Sequence, residues 1–156
     1  MPFLNISGLI GEELIIDELK GRTKLEVLQE FSALLFDNGK IKDKEGLTRV
    51  LAAREALGST GIGDSVAIPH GKLRGINGIM MAFGRSLKGV EYDSLDGEPA
   101  RLFFLVIAPE DAPGQHLKAL ARISRLMKKK EFRESLLRAS DRKDIKRIIS
   151  KEEAGI

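Results

Sequence analysis

Leu102-Phe103-Phe104-Leu105-Val106-Ile107 is apolar at six consecutive positions. A β-strand points alternate side chains to opposite faces, so an uninterrupted apolar strand has to be covered on both sides. The run is far too short for a membrane helix, which needs about 20 residues. It predicts a strand over 101–108, closed by Pro109, in the middle of a sheet with helices above and below.

The flanking patterns supply that cover. Glu13 to Ile16 reads as a first short strand. Thr23-Lys24-Leu25-Glu26 has the capping-box form, in which hydroxyl and carboxylate each satisfy a free backbone N–H. Leu25, Leu28, Phe31, Ala33 and Leu35 follow as an apolar stripe, ended by Asn38-Gly39. Asp43 can cap a second helix that buries Leu47, Val50 and Leu51, with Arg54 in the same register one turn later. Val66 to Ile68 reads as a strand running into a Pro69-His70-Gly71 turn, and Gly78 to Phe83 as another. Leu95-Asp96-Gly97-Glu98-Pro99 has turn chemistry. Pro113-Gly114 opens a helix carrying Leu117, Leu120, Ile123 and Met127; shorter helices follow over Glu131 to Arg138 and after Asp141. The pattern is α/β, a single three-layer α/β/α domain over 1–156 with a mixed β-sheet and a core in about 5–150.

Composition narrows the function classes. The chain has no cysteine, which excludes disulfides, thiol catalysis and thiolate metal sites. It shows neither a signal peptide nor a spanning segment, so the expectation is a cytoplasmic protein that is not membrane-embedded. The net charge of +3 hides a basic segment, 122–151, with twelve Lys/Arg against four Asp/Glu. Those charges interleave with Leu126, Met127, Phe132, Leu136, Leu137, Ile145, Ile148 and Ile149 at helical spacing, as on the solvated side of packed helices. With one tyrosine, no tryptophan and no stacking motif, nucleic acid is not an expected partner.

The chemistry concentrates between Arg54 and Gly71. Neutral imidazole is nucleophilic near pH 7 and can carry a phosphoryl group on one nitrogen. His70 lies between Pro69, which fixes its own φ, and Gly71, which has no side chain to obstruct a partner. Ser59 and Thr60 offer hydroxyls, and the N–H groups around Gly61 to Gly63 could form an anion-binding concavity. Arg54 could present a permanently charged fork to phosphate oxygens. His116 lies in the first turn of its helix, where the positive dipole end disfavours protonation; it could orient His70 or steady a phosphate. Each feature alone also has a plain structural reading: a turn histidine, a chain reversal, a surface arginine at a helix end.

Arg54-Glu55, Gly58-Ser59-Thr60-Gly61-Ile62-Gly63 and Ala67-Ile68-Pro69-His70-Gly71-Lys72 together resemble the signature of enzyme IIA domains of the fructose–mannitol and nitrogen-regulatory type. These belong to the bacterial phosphoenolpyruvate:sugar phosphotransferase system. Val90 to Ala100, Ala108-Pro109-Glu110, His116-Leu117 and Leu120-Ala121-Arg122-Ile123 extend the resemblance over about residues 5–150. It implies that His70 is the phosphorylated residue, with Arg54 and His116 near the phosphate. It also implies a donor, HPr or its nitrogen-branch relative, and a IIB acceptor or a regulated target protein. No cofactor or metal is implied. Asp64-Ser65 departs from the pattern, standing where a small or amide residue followed by glycine is expected. The chain shows no fused IIB, IIC or HPr segment, which fits either a transport subunit or a regulator, and the complete Gly58–Gly63 run leans toward the regulator.

Overall fold

The computed structural model describes residues 4–155; residues 1–3 and 156, the ends of the expected domain span, lie outside the described residues. The sheet grows outward from the apolar run. In chain order, a short helix α1 (Ile6–Leu9) and a 3-10 turn (Glu12–Leu14) lead into β1 (Ile15–Ile16), so of the strand expected over Glu13 to Ile16 only the second half is strand and the first half belongs to the 3-10 turn. The helices α2 (Lys24–Asp37) and α3 (Lys44–Ala56) follow, then β2 (Gly61–Gly63), β3 (Val66–Ala67), β4 (His70–Leu73), β5 (Met80–Val90) and β6 (Ala100–Pro109). Three helices complete the fold: α4 (Pro113–Met127), α5 (Lys130–Arg138) and α6 (Arg142–Ala154).

Local signals set the helix ends. Thr23 and Glu26 form the complete capping box of α2, Asp43 accepts from the Gly46 N–H at 2.9 Å, and Asp141 accepts from the Asp144 N–H at 2.9 Å. The faces differ in part from the sequence pattern. Leu25 and Leu117 are 51% and 66% exposed, while Val27 and Ala119 take buried places. α1 is held from the far end of the chain: the Glu153 carboxylate accepts from the Ile6 and Ser7 N–H groups, each at 2.7 Å, and pairs with Arg122 at 3.2 Å. That carboxylate meets the positive end of α1 and satisfies donors that a helix start leaves free.

β6 is the central strand that its composition demands, with Leu102 to Ala108 wholly buried. The strand order is β1-β5-β6-β3-β2, with β4 also on β6. β5 runs antiparallel to β6, and β3 and β4 run parallel to it, so the sheet is mixed. Phe83 and Phe104 meet edge to face at 4.9 Å on one side. On the other, Gly84 lies under Phe31 and Leu19, where a Cβ would come within 2.8 Å of the Phe31 ring. Helices on both faces make the three-layer α/β/α arrangement. Most basic charges of 122–151 fall on the outer sides of α4 to α6, Arg122 and Lys146 turning inward to Glu153 and to the Ser7 and Ile10 carbonyls, while Leu126, Met127, Phe132, Leu136, Ile145 and Ile149 are buried.

One detail of the sheet positions the chemistry. β3 pairs Val66 with Leu102 and β4 pairs His70 with Val106, the same offset along the same edge of β6. The two are a single line of strand interrupted at Ile68-Pro69, because proline has no N–H for a ladder. Pro69 still contributes its carbonyl, which accepts from the Val106 N–H at 3.0 Å. His70 therefore begins a strand instead of sitting on a free turn.

Candidate functional site

His70 is half-buried at the start of β4, and its Nδ1 lies 2.7 Å from the carbonyl oxygen of Ile68. A carbonyl can only accept, so the proton of the neutral ring resides on Nδ1 and the lone pair on Nε2. The strand break makes this possible, since it leaves the Ile68 carbonyl to a side chain. Burial pushes the His70 pKa below the ordinary value and Arg54 adds to this, while the Ile68 carbonyl and Glu55 pull the other way. The ring is neutral near pH 7, the state a nucleophile requires.

α4 brings His116 to the same place. Its ring centroid is 5.1 Å from that of His70, tilted by 54°. His116 is only 6% exposed, and its Nδ1 has no hydrogen-bond partner among the described residues. Burial, followed by the charges of His70, Lys72 and Arg54, lowers its pKa to about 4. The direction agrees with the helix-dipole expectation, but burial is the larger cause. Arg54, in the last turn of α3, donates from Nη1 to the Gly58 carbonyl at 2.8 Å. Its charge lies near enough to depress both imidazoles.

The structure thus brings His70, His116 and Arg54 together and turns Ser59, Thr60 and Gly61 to another task. Ser59 Oγ donates to the Tyr92 carbonyl at 2.7 Å and accepts from the Gly61 N–H at 3.0 Å. Thr60 is buried, and its hydroxyl donates to the Glu55 carboxylate. Gly61 to Gly63 is not the expected anion-binding concavity but the strand β2, antiparallel to β3. Gly61 is required there because a Cβ would meet Ser94 Oγ at 2.5 Å. The β2–β3 turn explains the local departure in sequence: Asp64 and Ser65 both have positive φ, 55° and 69°, where glycine or an amide residue is favoured. The Asp96 carboxylate steadies that turn by accepting from the Asp64 N–H at 3.0 Å.

Sequence reasoning missed Glu55, Tyr92 and Lys24. Tyr92 is fully buried and donates its hydroxyl to Glu55 Oε1 at 3.0 Å, and Lys24 Nζ lies 3.2 Å from Oε2. Burial, first, and the nearby Glu55 charge push the Tyr92 pKa up. A signal for Glu55 was present: it continues the four-residue spacing of Leu47 and Leu51, so the carboxylate falls on the buried stripe of α3. Among the described residues, no group of three or more His, Cys, Asp or Glu is placed to hold a metal ion.

Residues 9–152 match the family described as "Phosphoenolpyruvate-dependent sugar phosphotransferase system, EIIA 2". The chain belongs to this family. It is 38% identical to the PTS system fructose-specific EIIABC component of Bacillus subtilis over 94% of its own length, spanning 23% of that protein. It is also 38% identical to a nitrogen regulatory protein of Bradyrhizobium diazoefficiens, covering 93% of this chain and 94% of that one. Among solved structures, the nitrogen regulatory protein IIA-Ntr of Neisseria meningitidis superposes with a TM-score of 0.85 at 33% identity, over 92% of this chain and 98% of that one. EIIA similarity thus extends to both fructose-transport and nitrogen-regulatory relatives, and the mixed α/β sheet is shared with the solved neighbour.

Proposed function

We propose that this EIIA-family protein carries a phosphoryl group on Nε2 of His70. The observation that carries the proposal is the Nδ1 contact with the Ile68 carbonyl, which leaves Nε2 as the unprotonated nitrogen beside His116 and Arg54. In the forward step, the Nε2 lone pair attacks the phosphorus of a donor phosphohistidine. A new N–P bond forms as the donor's N–P bond breaks, and its electron pair returns to the donor nitrogen. The phosphoryl oxygens hold the spread negative charge of that transition state, and catalysis consists of positioning and charge stabilisation. Arg54 supplies the permanent positive charge, and His116 a second imidazole whose ring centroid lies 5.1 Å from that of His70. Ser59, Thr60 and Gly61 support the site by fixing the backbone that leads to it. The donor is HPr or its nitrogen-branch relative, the acceptor is a IIB domain, and the setting is cytoplasmic.

The match to part of an EIIABC protein supports the sugar-transport reading. A second reading is favoured by the nearly end-to-end correspondence with a nitrogen regulatory protein: the phosphorylation state of His70 would control binding to target proteins. Intact mass after incubation with phosphoenolpyruvate, enzyme I, magnesium and HPr tests the shared chemistry. One acid-labile phosphoryl group on wild type and none on a folded His70→Ala variant is expected. Full phosphorylation of that variant would remove His70 from its role. Rapid transfer onward to a IIB domain would then exclude a purely regulatory protein.

A further inference from the structure

The buried carboxylate of Glu55 lies outside the histidine pair, yet a short series of hydrogen bonds joins the two. Its side chain is 5% exposed. Oε1 accepts from the Thr60 hydroxyl and from Tyr92 OH; Oε2 accepts from the Thr60 N–H at 3.1 Å and faces Lys24 Nζ at 3.2 Å. Both the backbone and the side chain of Thr60 are therefore clamped by one anion. The Thr60 carbonyl in turn accepts from the Ile68 N–H at 3.0 Å, and the Ile68 carbonyl takes the His70 Nδ1 contact. Ile68 lies in the strand break, with no neighbouring ladder residue to hold its peptide groups. Thr60 is what holds it.

We propose that Glu55 is a positioning residue for phosphoryl transfer, clamping Thr60 so that the Ile68 carbonyl fixes the His70 ring with Nε2 outward. This rests on the reading of His70 as the phosphoryl acceptor. A carboxylate suits the task better than an amide. It offers two acceptor oxygens to three donors and neutralises the Lys24 ammonium, whereas glutamine has one acceptor oxygen and no charge. The anion also favours a protonated His70, opposing the permanent charge of Arg54.

The test compares wild type, Glu55→Gln and Tyr92→Phe in two measurements. Side-chain 15N NMR of the unphosphorylated protein reports the His70 tautomer and titration midpoint, and single-turnover kinetics with phosphorylated HPr report transfer. Folded Glu55→Gln is expected to lose about 10-fold or more in maximal rate, with little change in the donor concentration needed for half-saturation. Its His70 should show mixed tautomers and a lower titration midpoint. Tyr92→Phe, which keeps the carboxylate on Thr60, should lose less. A folded Glu55→Gln protein with wild-type rate, tautomer and midpoint overturns the proposal. If that variant does not fold, Thr60→Val deletes one arm of the clamp alone, and an unchanged His70 spectrum there overturns it equally. A wild type that accepts no phosphoryl group refutes the carrier reading instead, and the NMR arm still decides whether Glu55 holds the ring.

Discussion

Glu55 and His116 are both buried titratable side chains in one corner of the fold, 8% and 6% exposed, and their polar atoms fare in opposite ways. The Glu55 oxygens are filled from α2, from the loop before β2 and from Tyr92. His116 Nδ1 has no partner among the described residues. Buried polar groups are normally satisfied, so an unpartnered nitrogen beside His70 stands out against the filled carboxylate. The satisfied group belongs to the frame, and the open one belongs to a ring in contact with His70.

Acid presses hardest on the open side. His116 has a folded pKa of about 4 against an ordinary 6.5, so the unfolded chain takes the proton more readily. Its contribution to stability is complete above pH 6.5 and is lost as pH falls toward 4, on the order of 3 kcal/mol in all. His70, also lowered, acts in the same direction. Urea unfolding at pH 7 and pH 4.5 should show this decline in wild type and a shallower one in His116→Gln. Equal declines in both would place the acid sensitivity elsewhere.

Arg54 lies between the two sides, and Arg54→Ala tests to which it belongs. Transfer to His70 should slow about 10-fold without being abolished, as when one of several charge-stabilising groups is lost. Both histidine titrations should move up, since the guanidinium depresses each. Unchanged kinetics with normal folding would leave Arg54 only its bond to the Gly58 carbonyl. The smallest effect belongs to the frame: Ser65→Gly should stabilise the fold by about 0.5–1 kcal/mol by relieving a φ of 69°. A lower thermal midpoint in that variant would show that the Ser65 side chain contributes more than its backbone costs.

What could be read from the sequence was local. The capping box at Thr23 and Glu26, the Asp43 and Asp141 caps, and the Pro113 helix start each depend on residues within one turn. The doubly covered strand followed from its own composition. The site histidines and Arg54 stood out by residue type and by resemblance. What escaped depended on distant partners. Pro69-His70-Gly71 has the chemistry of a turn, and only pairing with residues 106–109 makes His70 the start of a strand. Gly61 to Gly63 became a strand because Ala67 lies opposite Gly61. Glu55 needed Tyr92 and Lys24 to show its role, and α1 needed Glu153 at the other end of the chain.

The strand lengths carry a consequence for recognition. β1, β2 and β4, each paired on one side only, are two, three and four residues long. A visiting chain that tried to extend the sheet would find too few consecutive backbone donors and acceptors to hold it. If the proposed transfer at His70 holds, sheet extension is closed to donor and acceptor alike, which would read side chains and contour around that imidazole.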